Sequence, residues 1–280
     1  MEFFMKLYRK IGVTLLIVLA SSCTLDLRED PNAVQPTQVL PSLTLNAMQR
    51  DLAALFQAAS STGMTMTRLQ NAGSSIYQTS ITPEGLNGIW STAYGGILQD
   101  AHGLIELADE QGYARHAGIA RIIQAYTLVL LIDFFGDVPF SEAFQGAANF
   151  NPAVDDAATL YAEALTMLDR AKLDLTTNPT TSNPAGYLNP VSPVITDQYY
   201  NNNYTKWIRL ANTIKLKIHL NLRLKFPAES QTAIAALIAD VSTTGGLISA
   251  QNENFIWRYG TTTSDPDGRH PRFVANYPAG

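Results

Sequence analysis

The chain has 280 residues, 46% of them hydrophobic and 15% charged, a balance that excludes disorder and collagen and allows one large or two ordinary domains. Its formal net charge of −5 argues against a nucleic-acid partner, whose usual footprint is a basic patch. Cys23 is the one cysteine, which excludes an internal disulfide, a CxxC redox pair and a thiolate zinc cluster.

The first 22 residues read as a secretory signal. Lys6, Arg9 and Lys10 form a basic start, and "IGVTLLIVLA" (11–20) is an apolar run too short for a bilayer, which takes roughly 20 residues. Ala20, Ser21 and Ser22 supply the small residues of a cleavage site, and Cys23 follows directly. That placement resembles a bacterial lipoprotein signal, in which the thiol is acylated and becomes the new N-terminus. Ala20 stands where many such signals carry Leu, and a plain secretory signal with an incidental thiol is the other reading. Residues 23–41 then form a polar, Pro-containing tether, acidic at Asp26, Glu29 and Asp30.

From residue 42 to 280 the pattern is helical. Residues 42–60 place Leu45, Met48, Leu52, Leu55 and Phe56 on one stripe, with Ser42 as an N-cap. Residues 62–83 are rich in Thr, Ser, Asn and Gly and read as an ordered loop or broken helix. The helical period resumes over 84–110, and Gly112 fits its stop. Residues 115–135 are apolar almost all round, the mark of a helix buried on every side. Arg121, Gln124 and Asp133 within that run argue against a membrane span. Gly136 suits a positive-φ stop and Pro139 prevents continuation.

An amphipathic helix follows over 151–175, with Asp155 and Asp156 near its positive end. Residues 176–203 form a long Asn/Pro/Thr/Tyr loop. "IKLKIHLNLRLKF" (214–226) alternates with period two, as a strand would, yet Trp207, Ala211, Ile214, Ile218, Leu222 and Phe226 also make a helical stripe. Helix is preferred, because Leu, Lys and Arg favour it and thirteen residues exceed a usual strand. A further helix covers 229–244, and a short strand fits only 254–259. The fold class expected is all-α: stacked helical hairpins resembling tetratricopeptide repeats, with long irregular loops and no clean 34-residue period.

No HExxH, GxSxG, P-loop or GxGxxG motif occurs, and the four histidines lack metal-ligand spacing. "SDPDGRHP" (264–271) lacks carboxylates at the first and last positions of a calcium loop, Thr263 and Val274, and reads as a Pro/Gly turn. No catalytic residue, metal or cofactor is assigned. The chemistry that remains is aromatic and amide: Tyr77, Tyr187, Tyr199, Tyr200 and Asn201 lie on loops and form the candidate ligand-binding set. An aromatic face covers the C–H surface of a sugar or peptide while amides bond its polar groups. The same residues are also ordinary turn and interface residues. Trp90, Trp207 and Trp257 read as packing residues.

Four segments, in order, resemble the SusD/RagB family of Bacteroidetes outer-membrane lipoproteins. They are the signal ending at Cys23, "IWSTAYGGILQDAHGLIELA" (89–108), "RIIQAYTLVLLIDFFGDVPFSEAF" (121–144) and "YTKWIRLANTIKLKIHLNLRLKF" (204–226). The resemblance implies a non-enzymatic, lipid-anchored protein at the cell surface. It would capture oligosaccharide or peptide and deliver it to a SusC-type TonB-dependent transporter in the outer membrane. It also implies that "FGDVP" is a structural joint with Asp137 as a capping residue. Family members are considerably longer, so the resemblance implies a chain incomplete at its C-terminus, with an exposed apolar flank. A surface glycan-processing enzyme and a ligand-free structural subunit of the transporter complex are the alternatives.

Overall fold

The computed structural model describes residues 41–71, 76–177, 197–242, 245–263 and 268–277, all within one compact unit, Leu40–Gly280. Cys23 and Tyr187 lie outside the described residues.

The order is α1 (Pro41–Met66), α2 (Asn87–Ser91), a π-helical turn (Thr92–Leu98), α3 (Gln99–Gln111), α4 (Ala114–Phe135), α5 (Ala157–Thr176), α6 (Tyr204–Leu222), α7 (Pro227–Ala239) and α8 (Pro271–Asn276). Among the described residues there is no strand pair beyond an isolated antiparallel bridge, Val138 to Asp155. The all-α expectation holds. Residues 204–222 are helix, so the 3.6-residue stripe through Trp207, Ala211, Ile214 and Ile218 prevails over the period-two pattern. All four of those side chains are buried, while the alternating Lys215 and Lys217 bond acids on the neighbouring helices α5 and α4.

α4 is the axis of the fold. Its length and composition would let it cross a membrane, but 72% of its apolar window is buried inside the protein. It is covered by α1, α3, α5 and α6, which explains why its apolar residues run round the whole helix. At its end Gly136 adopts φ 78°, a conformation open to glycine at little cost, and turns the chain into the 137–156 joint. α3 ends at Gly112 in the left-handed region.

Several local expectations change, among them the helix expected over 229–244, which is α7 and ends at Ala239. Ser42 is not an N-cap: α1 starts at Pro41, and the Ser42 hydroxyl bonds His116 Nε2 on α4 at 3.1 Å. α1 continues to Met66, past the boundary set at residue 60. α5 starts at Ala157, with Asp156 as its cap: Asp156 Oδ1 accepts from the N–H groups of Ala158 and Thr159 at 2.9 and 3.0 Å.

α7 differs from the other helices. Eight of its thirteen residues are Ala, Ile or Leu, yet only Ser230 is buried. With Leu224 at 86%, Ile238 at 61% and Val241 at 89% exposed, this end of the molecule carries an exposed apolar flank.

Candidate functional site

Two loops present aromatic rings, and each is held by one aspartate. In the first, residues 197–203 form a turn that leads into α6. Asp197 is fully buried and accepts four hydrogen bonds. Its Oδ1 takes the N–H groups of Tyr199 and Tyr200 at 3.0 Å each; its Oδ2 takes Asn202 N at 2.9 Å and Trp207 Nε1 at 2.7 Å. Burial pushes the Asp197 carboxyl up, while these donors favour its charged form and pull it back. Asn201 and Asn202 complete the turn with φ of 54° and 60°, which asparagine tolerates better than most residues.

This turn fixes the two tyrosines in different places. The Tyr199 hydroxyl donates to Gln49 O at 3.2 Å, and Gln49 Oε1 accepts from Gln198 N at 2.8 Å, so α1 clasps the corner. Tyr200 is 5% exposed, packs edge-on against Trp207 and donates to Glu253 O at 2.8 Å. Burial pushes both phenols well above their ordinary range, so neither ionises near neutral pH.

Residues 254–260 cross over Tyr199 and pair with no strand among the described residues. The alternation expected of a strand is present: Phe255, Trp257 and Tyr259 face inward, and Asn254, Ile256, Arg258 and Gly260 face out. Phe255 stacks on Tyr199 with ring centroids 4.1 Å apart and planes 19° apart; Trp257 lies 5.3 Å from the same ring. Tyr126 of α4 and Phe56 of α1, 4.7 Å apart, form the wall behind. Tyr259 meets His270 at 4.6 Å at the mouth. Together with Gln57 and Ser60 these rings enclose a cleft of about 380 Å³, within the ~300–1,000 Å³ range of small-molecule sites.

Of the candidate set, the cleft contains Tyr199. Tyr200 points into the core behind it, and Asn201 is exposed on the turn. Tyr77 lies elsewhere, stacked under Arg68 at 4.8 Å. Trp257, read from sequence as packing, lines the cleft. The inward period-two row in "NFIWRY" is the signal that could have marked it. Asp197 carried no such signal, because its bonds go mostly to backbone groups.

The second loop is the joint after α4. Asp155 Oδ2 accepts from Phe140 N and Ser141 N at 2.7 and 2.8 Å, and its Oδ1 accepts from the Ser141 hydroxyl at 2.6 Å. Slight burial raises this carboxyl, but the three bonds outweigh it and hold Asp155 below the ordinary carboxylate range. Asp137 Oδ1 accepts from Ala157 N at 2.8 Å, so it satisfies the first N–H of α5 beside the Asp156 cap, in keeping with the capping role that the resemblance implies. The joint supports the rings of Trp90, Tyr94 and Phe144, and Tyr94 donates its hydroxyl to Pro139 O at 2.8 Å. No cluster of three or more His, Cys, Asp or Glu that could hold a metal occurs among the described residues.

Comparison with known proteins places this architecture. No curated protein matches the chain. Solved structures do: a chitin-binding SusD homolog from Flavobacterium johnsoniae has a TM-score of 0.60 at 17% identity over 80% of this chain and 48% of that one. A Bacteroidetes SusD-like protein gives 0.62 at 19% identity over 86% and 46%. A SusD/RagB family protein of Bacteroides thetaiotaomicron gives 0.60 at 19% over 86% and 48%. The chain thus spans about half the length of these structures. The model of a SusD-like family, described as starch-binding and associating with the outer membrane, matches residues 31–270. With that match covering well over half of its residues, the chain belongs to the SusD-like family.

Proposed function

We propose that the protein is a surface lipoprotein that binds a neutral oligosaccharide in the cleft beside Tyr199 and passes it to a SusC-type TonB-dependent transporter. One observation carries this reading: Phe255, Trp257 and Tyr259 stand in a row on one face of an extended segment, backed by a clamped tyrosine. Such a row offers flat apolar faces to pyranose rings at little entropic cost, because the packing already fixes the side chains. Gln57 and Ser60 at the edge offer directional bonds to hydroxyls. The chitin-binding homolog of the same fold supports a glycan as the ligand class.

The protein acts as a binder, and no step of bond cleavage is assigned to it. Acylation of Cys23 would provide the anchor. Each buried CH₂ contributes ~0.8 kcal/mol, so two or three chains hold essentially permanently where one does not. Titration calorimetry of the purified chain against chito-, malto- and xylo-hexaose tests the binding claim. Saturable binding to at least one series, weakened about tenfold or more by Trp257→Ala, is expected. Binding to none of them, or full affinity in the variant, contradicts it. Mass spectrometry of Cys23 and co-purification with the transporter test the anchor and the delivery step.

A further inference from the structure

Trp90 stands between two shallow grooves of about 450 and 360 Å³. Its indole is 38% exposed, yet it is not loose. It lies on the Tyr94 ring at 4.6 Å and meets Phe135 edge-on at 5.4 Å. The π-helical turn Thr92–Leu98 begins two residues after Trp90 and contains Tyr94. Such turns cost regular hydrogen bonding and recur at functional sites.

The residues around both grooves carry no ionised side chain, although the chain as a whole has a net charge of −5. Asn87 borders one groove; Gln99, Gln145 and Asn149 border the other. None of these residues lines the cleft at Tyr199. A rigid exposed indole with amides on both sides and no charge is suited to a neutral polyhydroxyl ligand.

The geometry points to a second sugar-binding subsite centred on Trp90, which takes two adjoining units of a neutral oligosaccharide, one in each groove. It rests on the glycan reading above. Its chemistry is stacking of a pyranose C–H face on the indole, with the flanking amides bonded to ring hydroxyls.

Gly95 lines the second groove, and a Cβ placed there meets no heavy atom within 4 Å. A leucine at that position therefore starts in open space at its Cβ on the wall of the groove, and it gains helix propensity over glycine. The test is calorimetry of the wild type, Gly95→Leu and Trp90→Ala with chito-, malto- and xylo-hexaose. For the hexaose that binds the wild type, affinity is expected to fall about tenfold or more in both variants, with the melting temperature of Gly95→Leu unchanged or raised. In Trp257→Phe, where Trp90 is the remaining exposed tryptophan, saturating hexaose is expected to shield the emission from acrylamide. Full hexaose affinity in Gly95→Leu overturns the subsite and leaves the cleft standing, as does unshielded Trp90. A wild type that binds none of the hexaoses overturns both.

Discussion

The Tyr199 corner and the 137–156 joint use the same device with opposite electrostatics. In each, one aspartate gathers the N–H groups of a turn and thereby fixes aromatic side chains. Asp197 does so in the core at 0% exposure, where burial raises its pKa. Asp155 does so at the surface, where the bonds lower it. Water can replace a lost acceptor at the joint but not at the corner. The four bonds at the corner therefore carry more stability than the three at the joint, and the cleft is the more fragile of the two aromatic surfaces.

Removing Asp197 has the largest expected effect. Asp197→Ala leaves the Tyr199, Tyr200 and Asn202 N–H groups and the Trp207 indole N–H without their acceptor. Buried donors left unpaired cost about 3–5 kcal/mol together once the site relaxes. Urea unfolding should show that loss, with the surviving folded protein failing to bind at the cleft. A loss below about 1 kcal/mol would mean that the corner is held by ring packing instead.

Acid provides the next test. His116, which fastens α4 to α1 through Ser42, is pushed down to about 4 by burial from an ordinary 6.5. The unfolded chain binds a proton in that window and the fold does not. Stability from this group is complete above pH 6.5 and falls as pH drops toward 4. The most it can lose is about 3 kcal/mol, and the curve flattens below. His116→Gln should remove that slope from urea midpoints measured across the window; an unchanged slope would assign it to other groups.

Asp155→Ala should cost less, about 1–2 kcal/mol, and should loosen Trp90 and Tyr94 while leaving the cleft intact. Titration separates the two aspartates without a stability measurement. The lowered Asp155 contributes stability above its unfolded pKa of 3.8, and that contribution is lost as pH falls through its folded value. The raised Asp197 goes the other way: between 3.8 and its folded value, falling pH favours the fold. Carboxyl carbon shifts in NMR should place Asp197 above and Asp155 below 3.8; the reverse order would break the comparison.

Much of the framework is legible in the sequence because helix burial leaves a period. α4 is apolar all round and is surrounded; α6 looks like a strand until Trp207 and its stripe are counted. The joint is legible too: Gly136 and Pro139 each have a local geometric reason, and the role of Asp137 is what the family resemblance implies. The cleft is only half legible. Tyr199 stands out among its amides, but nothing local distinguishes it from Tyr200, which faces the other way because the Asp197 turn rotates one ring toward α1 and the other toward α6. Asp197 and Gln49 act across 149 residues of separation or through backbone groups, and neither leaves a pattern in the neighbouring letters. α7 shows the converse limit: its apolar composition says that a surface wants cover, not what covers it.

The measurement that bears most directly on the central claim is calorimetric titration of the intact chain and its Trp257→Ala variant with a neutral hexasaccharide that binds the wild type. Affinity lost in the variant, with its urea midpoint unchanged, is the result expected if the row over Tyr199 is the capture surface. Equal affinity in the two proteins would place the ligand elsewhere and contradict it.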